Sequence, residues 1–248
     1  MKIHHIEGYV QSIYLVDYPD KLMLLDGCCR ADVPIIQAFI TEELKRDLSD
    51  LEVVIVTHMH PDHAGGAHKL RRLTGCKLVS AKTDRHWYRG VSGMLMHWTD
   101  MILATWVAGR LGKKRKNLWY SPWLKPDIEV KDGDTVPGFA HWSVIETTGH
   151  TDRDLSVIHK PSKRVYVADL MVHVKERYIP PFPVFYPNRY YSSIMKLMKL
   201  EPASVMLAHG GEVTLTEDDY QHLLNLAPNV PKTPWRVIKI KLRTLFRG

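Results

Sequence analysis

Three of the chain's fourteen histidines fall within six residues, in the block His58-Met59-His60-Pro61-Asp62-His63. Imidazole and carboxylate together, with no cysteine in the block, suit zinc, iron or manganese better than a soft-metal site. The spacing has a geometric consequence. Residues two apart in an extended segment point the same way, so His58 and His60 can reach one ion. Asp62 and His63 lie where the chain turns into a helix, and can reach a second. A lone histidine beside a strand is ordinarily a surface residue. A packed His-x-His-x-Asp-His directly after an apolar run is not readily produced by chance.

Three more residues of ligand type close apolar runs. His150 follows a strand in Thr147-Thr148-Gly149-His150-Thr151, Asp169 ends Val165-Tyr166-Val167-Ala168, and His209 follows Val205-Met206-Leu207-Ala208. Strand ends are where α/β folds commonly place their sites. Each of the three alone would read as a capping or hydrogen-bonding residue. Four strands ending in such residues point to a metal site.

This pattern resembles the metallo-β-lactamase-fold superfamily, over most of residues 8–226. The resemblance implies an α/β fold, an αββα sandwich with metals at one edge between two sheets. It implies that His58, His60 and His150 hold one ion, that Asp62, His63 and His209 hold a second, and that Asp169 bridges them. Two divalent ions, zinc foremost with iron or manganese as alternatives, would lower the pKa of a shared water from about 15.7 toward about 7. The expected reaction is hydrolysis of an ester, lactone or thioester in a small molecule, with Asp62 also acting as the catalytic group that handles the proton. Alternatives are a phosphodiesterase or phospholipase-type hydrolase, and an iron-dependent oxidoreductase on the same fold. The chain departs from the common pattern after His150, where Asp152-Arg153-Asp154 stands in place of a Pro-Gly-Ser-type stretch, and no branch is assigned. No tyrosine closely follows Asp169. Tyr178, Tyr186, Tyr190 and Tyr191 come later as candidate hydroxyls, and His173 reads as structural or exposed.

Several elements must position these residues. Strands are expected at 8–16 and 21–26 around a turn at Tyr18-Pro19-Asp20, with Asp26-Gly27 as a second turn signal. The β-branched run Leu51–Thr57 reads as a buried strand leading into the histidine block. Helices are expected over 31–46, 64–73, 92–112, 188–200 and 216–226, and further strands at 77–81, 142–148, 155–159, 164–168 and 204–208. Residues 1–230 read as one domain.

Composition is that of a globular protein, with 45% apolar and 25% charged residues in 248. Three cysteines, Cys28, Cys29 and Cys76, make no disulfide framework and read as buried thiols. No signal-peptide pattern opens the chain and no apolar run is long enough to span a bilayer, so a cytoplasmic protein is expected. The net charge of +7 falls to −4 once two basic runs are set aside: Arg110 with Lys113–Lys116, and Lys232, Arg236, Lys239, Lys241, Arg243 and Arg247. The acidic body argues against a nucleic-acid partner. Residues 84–125 form an insertion holding five of the seven tryptophans, read as an apolar lid or else as a core or dimer contact. The insertion's basic run and the basic tail at 231–248 suggest peripheral membrane contact.

Overall fold

The computed structural model describes residues 1–235. The chain divides into two compact units, Met1–Ala140 and His141–Gly248.

The first unit is built on a six-stranded mixed sheet. Its strands are β1 (Lys2–Glu7), β2 (Ser12–Asp17), β3 (Leu22–Leu24), β4 (Leu51–Val56), β5 (Lys77–Ala81) and β6 (Ile128–Val130), paired in that order. The first two pairings are antiparallel and the last three parallel. Strand β4, Leu-Glu-Val-Val-Ile-Val, has parallel neighbours on both sides and buries all but Glu52, as a continuous apolar run should. The expected strand at 8–16 is in fact the end of a hairpin. Residues 8–11 turn, and β1 precedes them. An edge strand with only Ile6 buried carries little apolar alternation, which is why periodicity does not reveal it.

Helical segments connect the parallel strands. The stretch expected at 31–46 is a helix α1 (Val33–Ala38) opened by Pro34 and continued by a π-helical turn, Phe39–Glu43. Next come α2 (Pro61–Ala64), α3 (Ala67–Thr74) and the long insertion helix α4 (Gly90–Arg110). Their inner faces pack with the sheet around Leu24, Ile36, Val54, Leu70 and Leu78. A short strand β7 (Thr135–Val136) leads into β8 (Phe139–Glu146), which runs into the second unit.

The second unit continues with β9 (Leu155–His159), β10 (Arg164–Tyr166), the hairpin β11 (Val172–Val174) and β12 (Arg177–Ile179), α5 (Pro187–Lys199), β13 (Ser204–Leu207), β14 (Gly211–Val213) and α6 (Glu217–Leu226). Its sheet has the order β14-β13-β10-β9-β8-β7, with β10 and β13 parallel. Helices α5 and α6 bury Ile194, Leu197, Tyr220 and Leu223 against Val165, Val205 and Leu207. Thr216 caps α6, accepting from the Asp219 backbone N–H while the Asp219 carboxylate accepts from the Thr216 N–H. Of the expected basic tail, Lys232 pairs its backbone with Val184, while Arg236 to Arg247 lie outside the described residues.

All three cysteines are buried thiols, as expected. Burial pushes Cys28 and Cys29 well above the ordinary thiol range, and Cys76 upward.

Candidate metal centre

The first unit carries four of the seven expected ligands just past the end of β4. Thr57 and the turn His58–His60 follow the strand, and Pro61 at the first helical position starts α2. Asp62 and His63 therefore sit inside α2 itself, in its first turn. His58, His60 and His63 are buried, and the Asp62 side chain keeps 13% exposure.

Hydrogen bonds fix the tautomers. His63 Nδ1 donates to Asp26 Oδ2 at 2.6 Å, so its Nε2 carries the lone pair. Thr57 Oγ1 donates to the same Asp26 oxygen at 2.7 Å and accepts from His58 Nδ1 at 3.2 Å, which leaves the His58 lone pair on Nε2. That Nε2 lies 3.1 Å from His60 Nδ1. His60 Nε2 points the other way, 3.7 Å from Asp100 Oδ2 on α4. Asp100 accepts from the Tyr88 hydroxyl at 2.8 Å, and the Tyr120 hydroxyl donates to the Met59 carbonyl between the two histidines. Burial pushes both tyrosines well above the usual phenol range, so they stay donors. The insertion is thus bolted to the back of the histidine block by its inner face.

Asp26 is the residue that sequence reasoning missed. It reads there as half of an Asp-Gly turn. In the structure its Oδ1 also accepts from the backbone N–H of Gly27 and of Thr57, at 2.9 and 3.2 Å. Gly27 serves close approach: a Cβ there would stand 2.4 Å from the His63 carbonyl. The available signal was an acid closing the apolar run Leu22–Leu25, the same signal that flagged Asp169.

The second unit carries the other three. His150 lies in the loop after β8, buried, and its Nδ1 donates to the Pro183 carbonyl at 2.6 Å. Its Nε2 faces Asp169 Oδ2 at 3.4 Å. The other Asp169 oxygen, Oδ1, faces His209 Nε2 at 3.4 Å. Asp169 does not end a strand as expected. It sits in a single 3-10 turn, Ala168–Leu170, entered through Ala168 at φ 46°, a left-handed conformation that costs about 1–3 kcal/mol at a non-glycine residue. His209 follows β13 and keeps 26% exposure.

The departure from the common pattern after His150 has a structural role. Asp154 is buried and staples the loop, accepting from the N–H of Gly149 and Thr151 at 3.0 and 2.7 Å and from the Thr151 hydroxyl at 2.6 Å. Burial is the largest influence on its carboxyl and raises its pKa. Gly149 is required by contact: at φ 150°, a Cβ there would meet the Tyr190 backbone at 2.5 Å. Of the four candidate tyrosines, Tyr190 is buried beside this loop, Tyr186 and Tyr191 are exposed, and Tyr178 stacks on His173 at 5.0 Å. His173 is exposed and donates its backbone N–H to the His209 carbonyl, the structural placement expected of it.

The donor sets can be tested against a metal. Two ligand atoms each about 2.1 Å from one tetrahedral ion stand about 3.4 Å apart. The closest pairs here are 3.1, 3.4 and 3.4 Å, with Asp62 Oδ2 to His63 Nε2 at 3.5 Å. The chemistry agrees: His58 Nε2 and His60 Nδ1 face each other across 3.1 Å, and with the His60 proton on Nε2 both would present lone pairs to one cation. His58, His63 and His150 also donate their second nitrogen to a hydroxyl, a carboxylate and a carbonyl in turn, the usual arrangement behind metal-binding histidines.

The sequence profile of the metallo-beta-lactamase superfamily matches residues 6–209. The chain belongs to the metallo-beta-lactamase superfamily. Several relatives within it are hydrolases by name. The "Probable metallo-hydrolase YqjP" of Bacillus subtilis (strain 168) is 24% identical over 81% of this chain and 67% of its own length. The "Hydroxyacylglutathione hydrolase" of Nitrobacter winogradskyi is 27% identical over 80% of this chain and 60% of its own length. That of Francisella philomiragia is 23% identical, over 68% and 52%. The match thus spans about half to two thirds of these curated relatives. Among solved structures, an archaeal metallo-beta-lactamase superfamily protein from Sulfolobus tokodaii covers 90% of this chain and 84% of its own, with a TM-score of 0.62 at 19% identity. A metallo-beta-lactamase family protein from Thermus thermophilus gives 87%, 73%, 0.64 and 18%. These structures share the metallo-beta-lactamase fold with its mixed α/β sheets. At the level of class, the chain is a metallohydrolase homologue.

Proposed function

We propose that the chain is a dinuclear metal-dependent hydrolase whose substrate is a small-molecule thioester with an apolar acyl group. In this reading residues 1–230 act as one domain. His58, His60 and His150 hold one ion, Asp62, His63 and His209 hold the other, and Asp169 bridges. The observation that carries it is Asp169, whose two carboxylate oxygens each face a different histidine at 3.4 Å. A carboxylate shared in that way suits a bridging ligand better than a structural ion pair. Bound there, zinc would supply a nucleophile of hydroxide strength at neutral pH and polarise the scissile carbonyl.

The chain's own residues do the orienting and the proton handling. Asp26 holds His63, Thr57 holds His58, and the Pro183 carbonyl holds His150, so each presents its lone pair without reorganisation. Asp62, partly exposed with Oδ2 3.5 Å from His63 Nε2, takes up the proton and passes it to solvent. The choice of thioester is supported by the hydroxyacylglutathione hydrolases among the relatives. The apolar acyl preference is supported by the insertion, which is hydrogen-bonded to the histidine block through Tyr88 and Tyr120 and is rich in tryptophan.

The test is a panel of thioesters, lactones, phosphodiesters and β-lactams assayed with zinc, manganese and iron forms, alongside metal analysis. Two zinc ions per chain with turnover of thioesters is the expected result. A single iron with oxygen uptake, or phosphodiesters alone turned over, would overturn the reading.

A further inference from the structure

Helix α4 has two faces of opposite character. The inner one buries Gly93, His97, Asp100, Ala104 and Ala108. The outer one is a stripe of Val91, Leu95, Trp98, Ile102 and Trp106, spaced four, three, four and four residues apart. Their exposures are 80, 53, 61, 67 and 58%. Successive turns of a helix put such residues in one line. A water-facing helix ordinarily shows its charged side outward, and α4 shows large apolar side chains there. Leu111, Trp119 and Trp123, from the segment that follows, are also more than half exposed. Exposed tryptophan and isoleucine in a continuous line mark a surface that meets something.

Charge says what that is. The one acid in α4, Asp100, is buried on the inner face and takes the Tyr88 hydroxyl. From Met101 to Pro126 the sequence has no acid and six bases: Arg110, Lys113, Lys114, Arg115, Lys116 and Lys125. Arg115 and Lys116 join Trp98, Ile102, Trp106 and Trp119 in lining a groove of about 750 Å³. The Arg110 guanidinium lies over the Trp106 ring at 5.1 Å. The face is therefore apolar at its centre and cationic at its rim, where Lys113 is paired with Glu7 and the other bases carry the charge. No helix among the described residues is long and apolar enough to cross a membrane. An apolar stripe with tryptophans and a basic border instead suits a helix lying in the plane of a bilayer surface. A second copy of this chain fits less well, because a two-fold contact would set one cationic rim against the other.

We propose that the outer face of α4, with the basic run Arg110–Lys116, docks the protein on an anionic phospholipid surface. Tryptophans and aliphatic side chains enter the interface, and the bases meet lipid phosphates. This is independent of the metal chemistry.

The test uses the full metal-loaded chain and sedimentation with vesicles of phosphatidylcholine alone or with about one third phosphatidylglycerol. The parent should bind the anionic vesicles, with tryptophan emission shifting to the blue, and should lose most of that binding as salt rises from about 0.1 to about 0.5 M. Trp98→Ser with Trp106→Ser should weaken binding about tenfold or more while leaving the circular dichroism and thermal midpoint unchanged. Lys114→Glu with Arg115→Glu should weaken it on anionic vesicles selectively. Equal binding by parent and tryptophan variant would overturn the proposal and assign the attraction to charge elsewhere, the C-terminal bases included. A parent that ignores vesicles but forms a dimer, dispersed by the tryptophan substitutions, would also overturn it and make the face an interface between copies.

Discussion

Replacing Asp26 by asparagine exchanges one carboxylate oxygen for an NH2 and should weaken the candidate metal site through His63. Asp26 accepts four hydrogen bonds and donates none: Gly27 and Thr57 N–H on Oδ1, Thr57 hydroxyl and His63 Nδ1 on Oδ2. An amide has one acceptor oxygen. The two backbone donors cannot rotate, so the oxygen stays with them and the NH2 turns to Thr57 and His63. A donor then faces His63 Nδ1–H. The ring relieves the clash by moving its proton to Nε2, the atom that would bind the ion. Losing such an outer partner costs about 10–100-fold in metal affinity, or about 1.4–2.7 kcal/mol. The metal-free fold should also lose about 1.5–3 kcal/mol, the worth of a hydrogen bond to a charged acceptor. Competition against a chromophoric chelator reads the affinity, and long-range proton–nitrogen NMR reads the His63 tautomer. Parental affinity in D26N with Nδ1 still protonated would refute the reasoning, because the carboxylate would then not be setting the ring.

Two further outcomes follow from the surroundings of the site. Asp154→Ala leaves the buried Thr151 N–H and hydroxyl without their carboxylate acceptor, and the Gly149 N–H with the Thr151 carbonyl alone. It should cost about 3 kcal/mol in urea unfolding and loosen His150, and an unchanged midpoint would show that the loop is held otherwise. Asp32 is fully buried beneath Tyr9 and Cys29, and burial raises its carboxyl from the usual range to about 6. Because the folded value is raised, its contribution is full below about pH 4 and is lost as pH rises through 6, a span of about 3 kcal/mol. Asp32→Asn should flatten urea stability across that window, and an unaltered pH profile would refute the assignment.

What the sequence made legible was local. His58 to His63 are six consecutive residues after an apolar run, and His150, Asp169 and His209 each close one, so spacing alone singles them out as candidates. The partners that orient them come from elsewhere in the chain. Asp26 is 37 residues before His63 and Pro183 is 33 after His150, and neither separation leaves a periodic trace. The fold was readable to the same extent. Strand β5 matches its expected limits, and β4, α5 and α6 do so within a residue, because each buries an apolar run or stripe. Strands β1, β6, β11 and β12 were not seen, being short or mostly exposed. In sequence the insertion reads as a lid or else as a core or dimer contact. Helix α4 buries one face like a core helix and leaves the other bare, because helical spacing lets one segment carry both patterns.

The sealed thiols of Cys28, Cys29 and Cys76 turn the native chain into its own clock. All lie in the first 76 residues, so a thiol reagent at neutral pH can reach them only when the first unit opens. The alkylation rate then times that opening without any engineered probe. A cysteine introduced at exposed Ser92 would react in the closed state, giving a fast event and a slow one in a single mass spectrum.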